Sequence, residues 1–125
     1  MTPRPLAIVA AAAFHVLIGL SGIAVAAMLA GYALSGSVVP AGMGVEVAGM
    51  AMAVAIGLYG VGLVAGAIGM WRRRAWGFQL AIALAVVGLV GLLVAVASAG
   101  MDEILLSGVA IWVGALALAV TASRA

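Results

Sequence analysis

Gly69-Met70-Trp71-Arg72-Arg73-Arg74-Ala75-Trp76-Gly77 is the stretch on which the reading of the fold turns. Three consecutive arginines, flanked by tryptophans, interrupt an otherwise apolar chain. Before them an apolar run covers about 45–71, and after them another covers about 76–99. A membrane-spanning helix needs about 20 predominantly apolar residues, and both runs meet that length. A short basic turn between two such runs reads as a helical hairpin. Its charged end lies at one face of a bilayer, with Trp71 and Trp76 at the interface where aromatic rings anchor spans.

Working outward, the pattern repeats. An apolar run covers about 6–34 and a last one about 104–123. The breaks fall at 35–42, rich in Ser, Gly and Pro, and at Gly100-Met101-Asp102-Glu103. Both carry the turn chemistry or charge expected at helix ends. The expectation is one domain over 1–125: an all-α integral membrane bundle of four helices.

Composition agrees. Hydrophobic residues make up 69% of the 125 residues and charged ones 6%, against about 45–50% and about 25% in soluble domains. Too little polar surface exists to cover a globule in water. Cysteine is absent, which excludes disulfides, thiol chemistry and lipidation on Cys. The five cations are too few and too dispersed for a nucleic-acid footprint.

Charge orients the spans. Arg4 precedes the first, Arg72, Arg73 and Arg74 join the second to the third, and Arg124 follows the fourth. With four crossings these places share one side, while Glu46, Asp102 and Glu103 share the other. Arginine-bearing ends stay in the cytoplasm, so both termini are expected there, in a multi-pass cell-membrane protein. Arg72, Arg73 and Arg74 are topology determinants that can also meet lipid headgroups. Tyr32 marks the opposite interface. Arg4 and the Ala-rich run behind it could serve a signal peptide, but the run far exceeds the usual apolar region of about 7–15 residues.

Helices in a bilayer associate through close packing of small residues. On the first span His15, Gly19, Gly22 and Ala26 share a face; on the third, Gly77, Ala81, Gly88, Gly91 and Ala95; on the fourth, Gly108, Trp112, Ala115 and Ala119. The second span carries two such stripes. Gly49, Ala53, Gly57 and Gly60 form one, and Ala55, Gly62, Gly66 and Gly69 form another about half a turn away. Two faces require neighbours on both sides, so this helix is either central or meets another protomer. Met43, Met50, Met52 and Met70 are expected to fill gaps around it.

His15 is the one residue that invites chemistry. It lies about 15 Å along the first span from Leu6, near mid-bilayer, where ionisable groups are costly and face the bundle interior. Counting from the basic turn puts Tyr59 at similar depth, and counting from Arg124 does the same for Trp112. The expected midplane cluster has His15 hydrogen-bonded to the Tyr59 hydroxyl and Trp112 packed alongside. A proton relay or haem ligand is the functional rival, but no Asp, Glu, Lys or Arg lies within the interior of a span to extend such a path, and Glu46 sits only at the outer edge of the second. Gly60-Val61-Gly62-Leu63-Val64-Ala65 matches a dinucleotide-binding pattern as text only, without a preceding strand. Asp102 and Glu103 suit capping charge at a helix start.

The stretch 69–77 also resembles the inner hairpin of small prokaryotic four-span membrane proteins. In these a Gly- and Leu-rich helix ends in Trp and basic residues and restarts with Trp-Gly. The resemblance implies the same four-span plan and brings no activity with it. Small multidrug exporters carry an early membrane glutamate, fluoride channels an Asn-containing pore and quinone oxidoreductases a cysteine pair; the chain has none of these. The expectation for function is therefore a non-enzymatic membrane component without cofactor or metal. It would act as a homo-oligomer or an accessory subunit of a membrane complex. The alternative is an oligomeric small-solute transporter or channel built around His15 and Tyr59.

Overall fold

The computed structural model describes residues 4–35, 42–100 and 102–125. Within them the chain is all-α, with α1 over Leu6–Ser35, α2 over Gly42–Trp71, α3 over Ala75–Ala99 and α4 over Glu103–Ser123. Each helix is long and apolar enough to cross a membrane. Most of the expected break at 35–42, including Ser37, lies outside the described residues, as do the side chains of Met43 and Glu46. α2 begins at Gly42, earlier than the expected 45. A count of apolar residues stops short at Gly44, although glycine in a first turn does not prevent a helix.

Neighbouring helices run antiparallel and touch in the order α1, α2, α3, α4 and back to α1, with α1 against α2 the most extensive pair. Gly19 meets Gly60, Ala26 meets Gly57 and Ala33 meets Gly49 across the α1/α2 seam. Gly66 meets Ala81 and Gly69 meets Gly77 across α2/α3. The two stripes of α2 are thus both used inside the chain, one against α1 and the other against α3. The second neighbour that the sequence demanded is α3. Ala55 departs from its stripe and is exposed.

The core explains which ends converge. Ile8, Ala11, Ala12, Ala67, Met70, Ala81, Ala119 and Ala122 form one buried cluster. It draws together the start of α1, the end of α2, the first half of α3 and the end of α4. Arg4, Arg72, Arg73, Arg74 and Arg124 therefore sit at one end of the molecule, and Asp102 and Glu103 at the other. We call these the arginine end and the acidic end. Small side chains let the backbones approach, which is where dispersion contacts accumulate. Met70 fills this core, but Met52 is exposed, so the expected gap-filling role does not extend to it.

The two described turns close differently. At the arginine end the Arg74 N–H bonds the Gly69 carbonyl and the Arg73 N–H the Met70 carbonyl, both at 2.9 Å. This pairing is the glycine-type helix stop in which one residue takes a left-handed conformation. That residue is Arg73, with φ 55°. At the acidic end Gly100 takes φ 83°, and Asp102 caps α4 by accepting from the Leu105 N–H at 2.8 Å.

Candidate functional site

His15 is fully buried. Its Nδ1 lies 2.8 Å from the Ala11 carbonyl one turn back on α1. A carbonyl only accepts, so Nδ1 carries the proton in this bond. Nε2 is buried with no hydrogen-bond partner. The histidine thus satisfies its donor on its own helix, while its ring lies against the Ala81 backbone of α3 and Nε2 makes no hydrogen bond among the described residues.

Tyr59 and Trp112 do meet. Their ring centroids are 5.6 Å apart at 72°, edge to face. The Tyr59 hydroxyl donates to the Leu84 carbonyl on α3. Gly88 makes this possible: a Cβ there would sit 2.7 Å from both the Tyr59 hydroxyl and the Trp112 indole. The missing side chain opens α3 backbone to the phenol and gives the indole a flat seat.

The expected hydrogen bond from His15 to Tyr59 is absent, and two geometric causes account for it. The contacts of Gly60 with Gly19 and Ile23 put Tyr59 level with about 19–23 on α1, at least a turn past His15. Equal counts from the basic turn do not mean equal height once helices cross. In addition, side chains lean toward the N-terminus of their own helix. On antiparallel α1 and α2, His15 leans to the arginine end and Tyr59 to the acidic end. The cluster is split into a sealed histidine and an aromatic pair.

Beside that pair lies an apolar cavity of about 530 Å³, lined by Ile18, Gly22, Ala55, Ile56, Tyr59 and Trp112 among others. His15 is not on its wall. The cavity lies where the α1/α2 pair, still closed as far as Ala33 and Gly49, parts from the α3/α4 pair toward the acidic end. Gly91 shows the same separation. Spacing puts it on the packing stripe of α3, yet nothing lies within 4 Å of where its Cβ would be. Gly19, Gly22, Gly62 and Gly66 do face neighbours, Gly19 with the tightest fit at 2.7 Å to the Gly60 carbonyl.

At the arginine end Arg4 was missed as a structural partner. Its guanidinium carbon sits 4.3 Å from the centre of the Trp71 ring, and its Nε donates to the Trp71 carbonyl at 3.2 Å. The signal was present in sequence: antiparallel spans of equal length place residue 4 beside residue 71. Trp71 and Trp76 are both exposed. Hydroxyls on helix surfaces bond back to their own backbone, as Ser21 does to Leu17, Ser98 to Val94 and Thr121 to Ala117, at 2.7–2.8 Å. A polar group facing hydrocarbon must be satisfied in this internal way. Among the described residues no three His, Asp or Glu side chains gather in a metal-ligating group. No family model, curated protein or solved structure matches the chain.

Proposed function

We propose that the chain is a non-enzymatic, multi-pass component of the cell membrane with its arginine end in the cytoplasm. It associates there with a second copy or with another membrane subunit. Asymmetric charge supports the orientation: arginines gather at one end of the helices, and Asp102 and Glu103 stand at the other. A single observation carries the association. Gly91 belongs by spacing to a close-packing face, and it has open space against it. Register puts it level with Ala55, also exposed, so small residues on two adjacent helices are left uncovered toward the acidic end. Small uncovered faces are where helices approach closely in a bilayer.

The test is the mass of the protein purified in mild detergent, with Gly91→Ile as the variant. Wild type should run larger than one chain, alone or with a co-purifying subunit, and the variant should revert to a single chain. A wild-type monomer with nothing attached would overturn the association. Tags on the two termini, probed in intact cells, address the orientation separately.

A second reading has its own support. The cavity beside Tyr59 and Trp112 suits a small apolar solute, in the size range of small-molecule sites. In that reading Tyr59 and Trp112 contact the solute and His15 holds the packed half below. Flux of a small apolar solute into liposomes, lost on Gly88→Leu, distinguishes it from the first.

A further inference from the structure

A second groove runs between α1 and α2 at the arginine end, about 530 Å³ in volume. Its walls include Val9, Ala13, Val16, Ile68 and Trp71, and Arg72 stands at its mouth. The span from Val9 to Val16 is about 10 Å along the helix. Arg4 is not on the groove wall, but it stacks on the wall residue Trp71 and so brings a second guanidinium beside Arg72. Only the Arg4 Nε is engaged with the Trp71 carbonyl, and a guanidinium has five N–H donors. Acidic side chains are remote from this rim among the described residues. Asp102 and Glu103 are at the acidic end, and Glu46 is about 38 Å from Trp71 along α2.

Two cations over an apolar slot have the anatomy of an amphiphile with a negative head. We propose that this groove holds one anionic phospholipid, its phosphate between Arg4 and Arg72 and one acyl chain along Ala13 and Ile68. The inference rests on the membrane reading above and adds to it a lipid class and a place. Guanidinium and phosphate form short, charge-assisted hydrogen bonds. A zwitterionic lipid brings the same phosphate together with a cation that the two arginines repel, so selection goes to the anionic headgroup. Trp71 contributes twice, as groove wall and as the ring that fixes Arg4.

Mass spectrometry of the intact protein, released from detergent micelles holding equal phosphatidylglycerol and phosphatidylcholine, tests the site. Wild type should retain one phosphatidylglycerol in clear preference to phosphatidylcholine. Arg72→Gln should weaken that retention about fivefold, the weight of one basic side chain near an anionic surface. Ala13→Leu fills the groove from an exposed position and should remove the bound lipid while helicity by circular dichroism stays unchanged. Arg74→Gln makes the same charge change at an exposed side chain off the groove, where solvent screens it, and should stay within about twofold of wild type. Equal retention of both lipids, or equal loss in Arg72→Gln and Arg74→Gln, overturns the site while leaving the membrane reading intact. A chain that stays dispersed and helical without detergent overturns the membrane reading itself.

Discussion

The two ends of the molecule are built on opposite principles. Toward the arginine end the helices meet through glycine and alanine, backbone nearly on backbone, around Ala11, Ala67, Ala81 and Ala119. Toward the acidic end Tyr59 and Trp112 occupy the space between helices, a cavity opens beside them, and Gly91 is left without a neighbour. Both halves are equally apolar, so hydropathy does not separate them. What differs, away from the α1/α2 seam that stays closed as far as Ala33 and Gly49, is side-chain size: small residues permit contact, and large rings set a spacing that the remaining small residues cannot fill.

The sharpest way to break the close half is Gly77→Ala. A Cβ there would lie 2.5 Å from the Gly69 Cα and the Met70 nitrogen, backbone atoms that cannot swing aside. A loss of about 3 kcal/mol is expected, the upper end for overpacking, read as a lower melting temperature in detergent. His15 gives a two-part test of the same half. His15→Ala should cost about 2–4 kcal/mol through the cavity it leaves. His15→Leu should stay within about 1 kcal/mol of wild type, because the bond to Ala11 is local and Nε2 makes no hydrogen bond among the described residues. Equal losses in the two variants would mean that Nε2 does have a partner in the folded protein.

Gly88→Ala carries the comparison into the open half. Its Cβ meets side chains of Trp112 and Tyr59, not backbone, so the expected loss is smaller, about 1–2 kcal/mol. Adding Trp112→Leu should recover part of it, as a double-mutant cycle would show. Gly91→Ala, one turn on, should be neutral or stabilise the single chain by up to about 1 kcal/mol, since it meets nothing and glycine weakens a helix. A loss at Gly91 as large as at Gly88 would mean that the acidic end is closed in solution. The last expected effect, also small, is at the basic turn. Arg73→Gly relieves a left-handed non-glycine backbone but gives up an interaction of the Arg73 side chain, so the net gain should be at most about 1 kcal/mol, visible as slower thermal unfolding.

The candidate site was legible only in part. Tyr59 and Trp112 were brought together by counting residues from the charged ends, and the structure puts them in ring contact. The same counting failed for His15, because it ignores helix crossing and the direction in which side chains lean. Spacing assigned Gly88 and Gly91 to one stripe without distinguishing them. Periodicity reports the angle around a helix, and whether a neighbour stands at that angle depends on how far the helices have diverged. Arg73 looked like a topology charge alone, since arginine gives no local sign of a left-handed backbone.

Sequence by itself determined that there are four helices, where the basic turn lies, and that arginines and the described acids part to opposite ends. Those features follow from the length of apolar runs and from the chain reversing at each turn, which are local properties. Tertiary structure alone decided that both stripes of α2 are consumed within the chain, that His15 is sealed away from Tyr59, and that a groove opens beneath Arg72. Each of these depends on the offset and tilt between helices. Those are set by summed contacts of many small residues, and no single residue encodes them.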